Sequence, residues 1–343
     1  MKLVLALAAT LLAAAAEPPY DWGTANDEWS SDGDYGVSKA LCRSLKGHEP
    51  PAADRPDAAT AASFKGCDSE ALYYGIGMAA DPVKARQCAF LEMGREDEPV
   101  FGGRAMLMTI YANGRGAKRD LDVAIHLACG IEGAPMESHG RVTHLAELKG
   151  QPRGQEDFNY CEDVTSGLAM GYCASHQERI DGAKRDSEIA RLTAGWTPTE
   201  KQAFERLRTA QAAYVEAHGE GEVDLSGTAR GAMVVEAEEA LRDEFVALLR
   251  DLAAGHYPRY DSGGYRAADG KLNAAYRKLR ADTQPVDSPG PVTREGILAA
   301  QRAWLRYRDA FLAFAAVKFP KADRDSLAAW LTDKRTAMLL PEE

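Results

Sequence analysis

The stretch AQRAWLRYRDAFLAF, residues 300–314, decides how the C-terminal half of this chain folds. Its large apolar residues, Trp304, Tyr307, Phe311 and Phe314, fall at steps of three, four and three. On a helix of about 3.6 residues per turn that spacing stacks them on one face. Ala300, four before Trp304, lengthens the stripe, while Arg302, Arg306 and Asp309 fall off it. The segment therefore predicts a buried helical seam with a solvated back, its long charged stems covering apolar surface. A cation-binding aromatic box or a grip on nucleic acid fits this pattern less well.

The punctuation around the seam is helical too. Thr197-Pro198-Thr199-Glu200 offers a capping threonine, proline at the first helical position and glutamate at the third. DTQPVDSPGPVT (282–293) predicts a loop ending at a second capping threonine, and HGEGEVDLSG (218–227) predicts a matching loop upstream. Alternating β-branched runs are absent along the chain, so the expected fold class is all-α.

Residues 67–150 contain an internal repeat. ALYYGIGMAADPVKARQCAF and MTIYANGRGAKRDLDVAIHLAC align at an offset of 39, which pairs Gly75 with Gly114, Gly77 with Gly116, Asp81 with Asp120, Ala85 with Ala124 and Ala89 with Ala128. Glycine ends a helix where positive φ is needed, aspartate caps the next, and alanines allow close helix approach. Such a hairpin cannot bury its apolar face alone, so neighbours must stack. A third unit, Met136 to Lys149, supplies at best one helix. The G-x-G-x-x-x-D-x-x-x-A pattern resembles the Sel-one-like repeat, a relative of the tetratricopeptide repeat, although Leu72 stands where the second copy has Tyr111. The resemblance implies a solenoid-like scaffold, residues 35–150, with a concave face for a protein partner.

The N-terminus, MKLVLALAATLLAAAAEPPYDWG, has one cation, an uncharged run from Leu3 to Ala16 and small residues before Glu17-Pro18-Pro19. This is the three-part pattern of a secretory signal peptide, cut most simply after Ala16, and the run is short for a membrane span. Residues 17–34, polar and rich in turn formers, predict an extended or poorly ordered arm. A short helix over Val37–Lys46 and a Pro/Ala linker, EPPAADRPDAA, are expected next.

Export changes the reading of the six cysteines, Cys42, Cys67, Cys88, Cys129, Cys161 and Cys173. An even count in an exported chain, with no C-x-x-C, points to disulfides rather than zinc. The nearest-neighbour pairing is favoured: Cys42–Cys67, Cys88–Cys129 and Cys161–Cys173. Its rival joins Cys67 to Cys88 within one helical hairpin, leaving Cys42 to reach Cys129 across several helices.

The C-terminal seam carries a second resemblance. Residues 299–310, preceded by a helix-like segment at 269–279 and followed by one at 331–339, resemble the LprI-type lysozyme-inhibitor family. Weaker likenesses to its opening, central and closing segments lie at 161–192, 197–218 and 238–249. There Gln211, Ala213 and Tyr214 take the places of Gln301, Ala303 and Trp304, an offset of 90. The resemblance implies two small helical domains, 156–252 and 253–343, and a protein that binds and inhibits lysozyme-type muramidases. Gln301, Trp304, Tyr307, Arg308 and Asp309 are its motif residues, with a mainly structural role. The second copy lacks the cysteine pair, and the first lacks the Tyr-Arg-Asp after its aromatic residue.

No catalytic constellation emerges. The seven histidines form no H-E-x-x-H or Cys/His ligand set, no G-x-S-x-G occurs, and G-I-G-M lacks the strand and Lys-Ser/Thr of a phosphate loop. The expectation is a non-enzyme without cofactor or metal. A net charge of -11 disfavours nucleic acid and favours a cationic protein partner. Glu220, Glu222 and Asp224 in the 218–227 loop are the candidate contacts, against the plainer reading of a solvated loop. The alternative function is a periplasmic scaffold that uses the repeats to hold a partner protein or envelope component. If the seam is buried, Trp304→Ala costs about 3–5 kcal/mol. A thermal melt unchanged by the substitution would remove Trp304 from the core.

Overall fold

The computed structural model describes residues 19–25, 32–152, 157–282 and 292–339. The proposed signal segment and most of the 282–293 loop lie outside them. The fold is all-α, and no strand occurs among the described residues. Two apolar cores organise it, one built from residues 22–158 and one from residues 189–339.

The first core is layered by short hairpins. Helices α3 (Ser69–Tyr74) and α4 (Pro82–Glu92) form one, and α5 (Gly103–Asn113) and α6 (Leu121–Cys129) the next. The sequence punctuation works as its chemistry requires. Gly75 and Gly114 close α3 and α5 at φ 78° and 63°, and the carboxylates of Asp81 and Asp120 cap α4 and α6. Gly116 marks where the hairpins meet: a Cβ there would sit 2.2 Å from the Pro82 carbonyl oxygen. Helix α5 buries every residue from Ala105 to Ala112, as a helix apolar all round must. The third unit contributes one helix, α7 (Pro135–Glu147), which packs on α6, and the short α2 (Ala58–Ser63) lies against α4.

Two expectations for this half are corrected. Part of the polar arm is docked: Trp22 is 1% exposed, its backbone N–H donates to the Cys129 carbonyl at 2.8 Å, and its indole N–H donates to Ser38 Oγ at 2.9 Å. The cysteine pairing is also different. Cys42 bonds Cys129 and Cys67 bonds Cys88, so the favoured Cys42–Cys67 and Cys88–Cys129 do not form; Cys161–Cys173 does. The reason is topological. After two hairpins the chain returns to lay α6 and α7 against α1 (Asp32–Ser44), which brings residue 129 to residue 42.

Among its described residues the second half holds six long helices that pack as three pairs: α8 (Gly167–Thr193) with α10 (Arg230–Ala253), α9 (Pro198–Gly221) with α12 (Arg294–Lys318), and α11 (Gly264–Asp282) with α13 (Arg324–Leu339). The α9–α12 pair runs through the middle. Gly221 meets Gly296 at one end, where a Cβ on either would lie 2.6 Å from the other's carbonyl oxygen, and Lys318 Nζ meets Glu200 Oε1 at 3.0 Å at the other. Thr197 and Glu200 form the expected capping box, and Thr293 caps α12. Residues on both sides of position 253 contribute to one continuous core.

Helix α8 touches both halves. Near its start Cys173 is tied to Cys161, and His176 and Arg179 reach α3, while Ile189 packs into the second core. His176 is 6% exposed, stacked on Phe101 at 4.1 Å with Tyr74 edge-on at 4.9 Å. Its Nδ1 donates to Glu70 Oε1 at 2.5 Å, and Arg179 closes the cluster onto Glu70 and Asp68. Burial pushes the His176 imidazole down to about 4, so it is neutral at pH 7.

This join predicts an acid sensitivity. A histidine lowered from 6.5 to about 4 on folding contributes stability that is present above 6.5 and lost as pH falls toward 4. The melting temperature is expected to fall across that window, and by less in His176→Gln, which cannot titrate. An identical decline in both proteins would remove His176 as its source.

Candidate functional site

The two aromatic segments singled out in the sequence meet at the α9–α12 crossing. Tyr214 stacks on Tyr307 at 5.6 Å and 15°, and Trp304 is 2% exposed beside them. Arg302, Arg306 and Asp309 are exposed, as the off-stripe positions require. Arg308 lies between these extremes: its guanidinium sits 5.3 Å from the Trp304 ring, 6.0 Å from the Tyr265 ring, and bonds Asp309 Oδ1 at 2.8 Å. The cation–π contact is thus internal, not an open binding box. The cleft lined by Tyr214, Trp304, Tyr307 and Trp330 has room of only about 30 Å³, enough for a water but not a metabolite.

Under the aromatic layer lies the most buried charge pair of this half. Arg335 is 1% exposed. Its Nη1 and Nη2 donate to the two Glu222 oxygens at 2.7 and 2.5 Å, its Nε donates to Gln301 Oε1 at 3.0 Å, and its Nη1 also approaches Tyr214 Oη at 3.4 Å. His218 Nδ1 completes the set, 2.9 Å from Glu222 Oε2. Burial pushes the Glu222 carboxyl up, but hydrogen bonds from His218 and Arg335 outweigh it and hold the group below its ordinary value. Burial also pushes the Tyr214 hydroxyl up to about 12, so it stays protonated at neutral pH.

Glu222 therefore falls out of the partner-contact set: it is an internal anchor. Helix α9 continues through Gly221, so the connection is shorter than the expected 218–227 loop. Glu220 and Asp224 are exposed, and Asp224 spends one oxygen on the Ser226 N–H at 2.8 Å. Gln301 has a demonstrable role as acceptor for Arg335, whereas the Nε2 of Gln211, its counterpart 90 residues earlier, is buried without a protein partner. Arg335 stands outside the motif residues named from the sequence. Its signal was present: Leu327, Leu331, Arg335 and Leu339 are spaced by four, so an arginine sits on an apolar stripe and demands a buried partner.

Metal chemistry finds no support in the ligand geometry. The one His/Cys/Asp/Glu group close enough among the described residues is Cys67, Cys88 and Glu92. Its sulfurs are bonded to each other, and Glu92 accepts from Ser69 and Gly103. Charge, by contrast, is strongly divided. Residues 262–339 carry 14 Lys and Arg against 8 Asp and Glu, a net +6 within a chain of net -11. No described helix is long and apolar enough to cross a membrane.

The anchor yields a mutational prediction. Arg335→Ala strands the Glu222 carboxylate and should cost about 3–5 kcal/mol, whereas Arg335→Met combined with Glu222→Leu should cost markedly less. Because Glu222 is held below its usual 4.5, its contribution is present above that pH and fades as pH falls through the folded value. Chemical denaturation of the three proteins at pH 7 and pH 4 reads both effects. Equal losses in the single and double variants would contradict the anchor.

Comparison with known proteins places one part of the chain. Nothing among curated proteins or solved structures matches it. Residues 262–339, the segment from the start of α11 to the end of α13, match the family described as Lysozyme inhibitor LprI.

Proposed function

We propose that this is an exported protein of the periplasm or the medium that binds a lysozyme-type muramidase and blocks its action on the cell wall. The observation that carries the reading is the match of residues 262–339 to the lysozyme-inhibitor family. In the fold that segment supplies three helices and more than half of a shared core, and Gln301, Trp304 and Tyr307 are buried in it. Three disulfides suit an oxidising compartment. We also read the α8–α10 unit as the first, diverged copy of the same domain and the α3–α6 hairpins as Sel-one-like repeats.

Electrostatics divides the labour between the halves. Residues 158–252 carry 18 acids and 10 bases, so the acidic field that would attract a cationic enzyme lies there and not in the basic 262–339 segment. Glu220 and Asp224, exposed at the end of α9, belong to that acidic side. Encounter should accordingly slow as salt screens the field, with a screening length of about 10 Å at 0.1 M.

A second reading rests on the hairpin module, whose core is separate from that of the bundle. It is a scaffold that holds a partner protein or envelope component on its repeat face. A lysis assay separates the two. Mature protein titrated against a cationic lysozyme at low and moderate salt should inhibit saturably, with an association rate that falls as salt rises. Absence of inhibition at micromolar excess, across lysozyme types, would reject the inhibitor and leave the scaffold.

A further inference from the structure

We propose that the cleft between the α10–α11 and α12–α13 connections binds an uncharged saccharide, of the β-linked N-acetylhexosamine class from which muramidase substrates are built. The choice of sugar class rests on the muramidase reading; the cleft itself does not. Its volume is about 770 Å³, within the range of about 300–1,000 Å³ usual for ligand clefts and far larger than the gap beside Trp304. Tyr257, Tyr260 and Tyr265 line it together with Arg259, Asp261 and Lys321.

The lining is held in place before any ligand arrives. Tyr260 donates its backbone N–H to Ser326 Oγ at 3.1 Å and its hydroxyl to Asp333 Oδ2 at 2.9 Å, which pins the α10–α11 connection against α13. Tyr257 and Tyr265 are partly buried against the second core. Tyr265 is backed by Arg308, which in turn lies over Trp304, so the motif helix supports this wall from behind. A rigid aromatic with one apolar face and a polar tip is suited to a sugar ring, whose axial C–H groups form an apolar face.

The charges point to a neutral ligand rich in hydroxyl and amide groups. Three cations, Arg259, Arg266 and Lys321, and three carboxylates, on Asp261, Asp323 and Asp325, share the lining. Asp323 is engaged in capping Ser326, at 2.7 Å from its N–H. Arg259, Asp261, Arg266 and Lys321 are exposed and form no ion pair among the described residues. Charges of opposite sign therefore line the cleft in equal number, a poor host for a polyanion and a good one for groups that both donate and accept.

The test is calorimetric titration of chitotetraose into the full mature chain, with no muramidase present. Saturable binding is expected, weakened at least tenfold in Arg259→Ala combined with Asp261→Asn, whose melting temperature should match the parent. No binding at millimolar sugar, or equal binding by parent and variant, overturns the proposal, as does binding of polyphosphate in place of the sugar. Inhibition is measured separately. Loss of sugar binding with inhibition intact would reject only the cleft, and sugar binding without inhibition would reject only the inhibitor.

Discussion

The C-terminal half depends on one buried ion pair. Arg335 of α13 and Glu222 at the end of α9 are withdrawn from water together, and neither could be accommodated alone. The pair fixes which helices meet. Beside it α9 and α12 approach until Gly221 and Gly296 touch, where any side chain would collide with the opposing backbone. Gln301 and His218 then complete the remaining hydrogen bonds. The stacked Tyr214 and Tyr307 lie above a polar floor with few alternative arrangements, and apolar burial supplies the stability that this polar floor does not.

Much of this was legible in advance, and the reasons are local. Periodicity placed Trp304, Tyr307, Phe311 and Phe314 on one buried face, and all four are buried. Caps at Asp81, Asp120, Thr197 and Thr293 were readable because a cap is chemistry within four residues. What failed was long-range. The pairing of Cys42 with Cys129 depends on α6 returning to α1 at the end of two hairpins, and nothing near either cysteine encodes that path. Glu222 read as a loop acid because its partner lies 113 residues away. Trp22 read as part of an arm because its anchor is the carbonyl of Cys129.

The division of charge bears on how the proposed activity would be distributed. An acidic first unit and a basic second unit share one core, so a partner meets both signs on one helical bundle. A cationic enzyme drawn toward the acids around α10 would be oriented as well as attracted, since the basic helices of the matched segment repel it. Complementary steering of this kind acts on encounter rate and orientation more than on affinity.

Helix α8 has a mechanical consequence. Its 27 residues span about 40 Å at 1.5 Å per residue; its first half touches the hairpin module through His176 and Arg179, and its last turns pack into the bundle core through Ile189. The hairpin module and the bundle are therefore joined by a strut, not a tether. Whatever each end grips is held at a set separation and rotation about the helix axis. A change in that geometry requires breaking backbone hydrogen bonds or dislodging His176 from its aromatic slot, so a pull on one end is transmitted to the other with little slack.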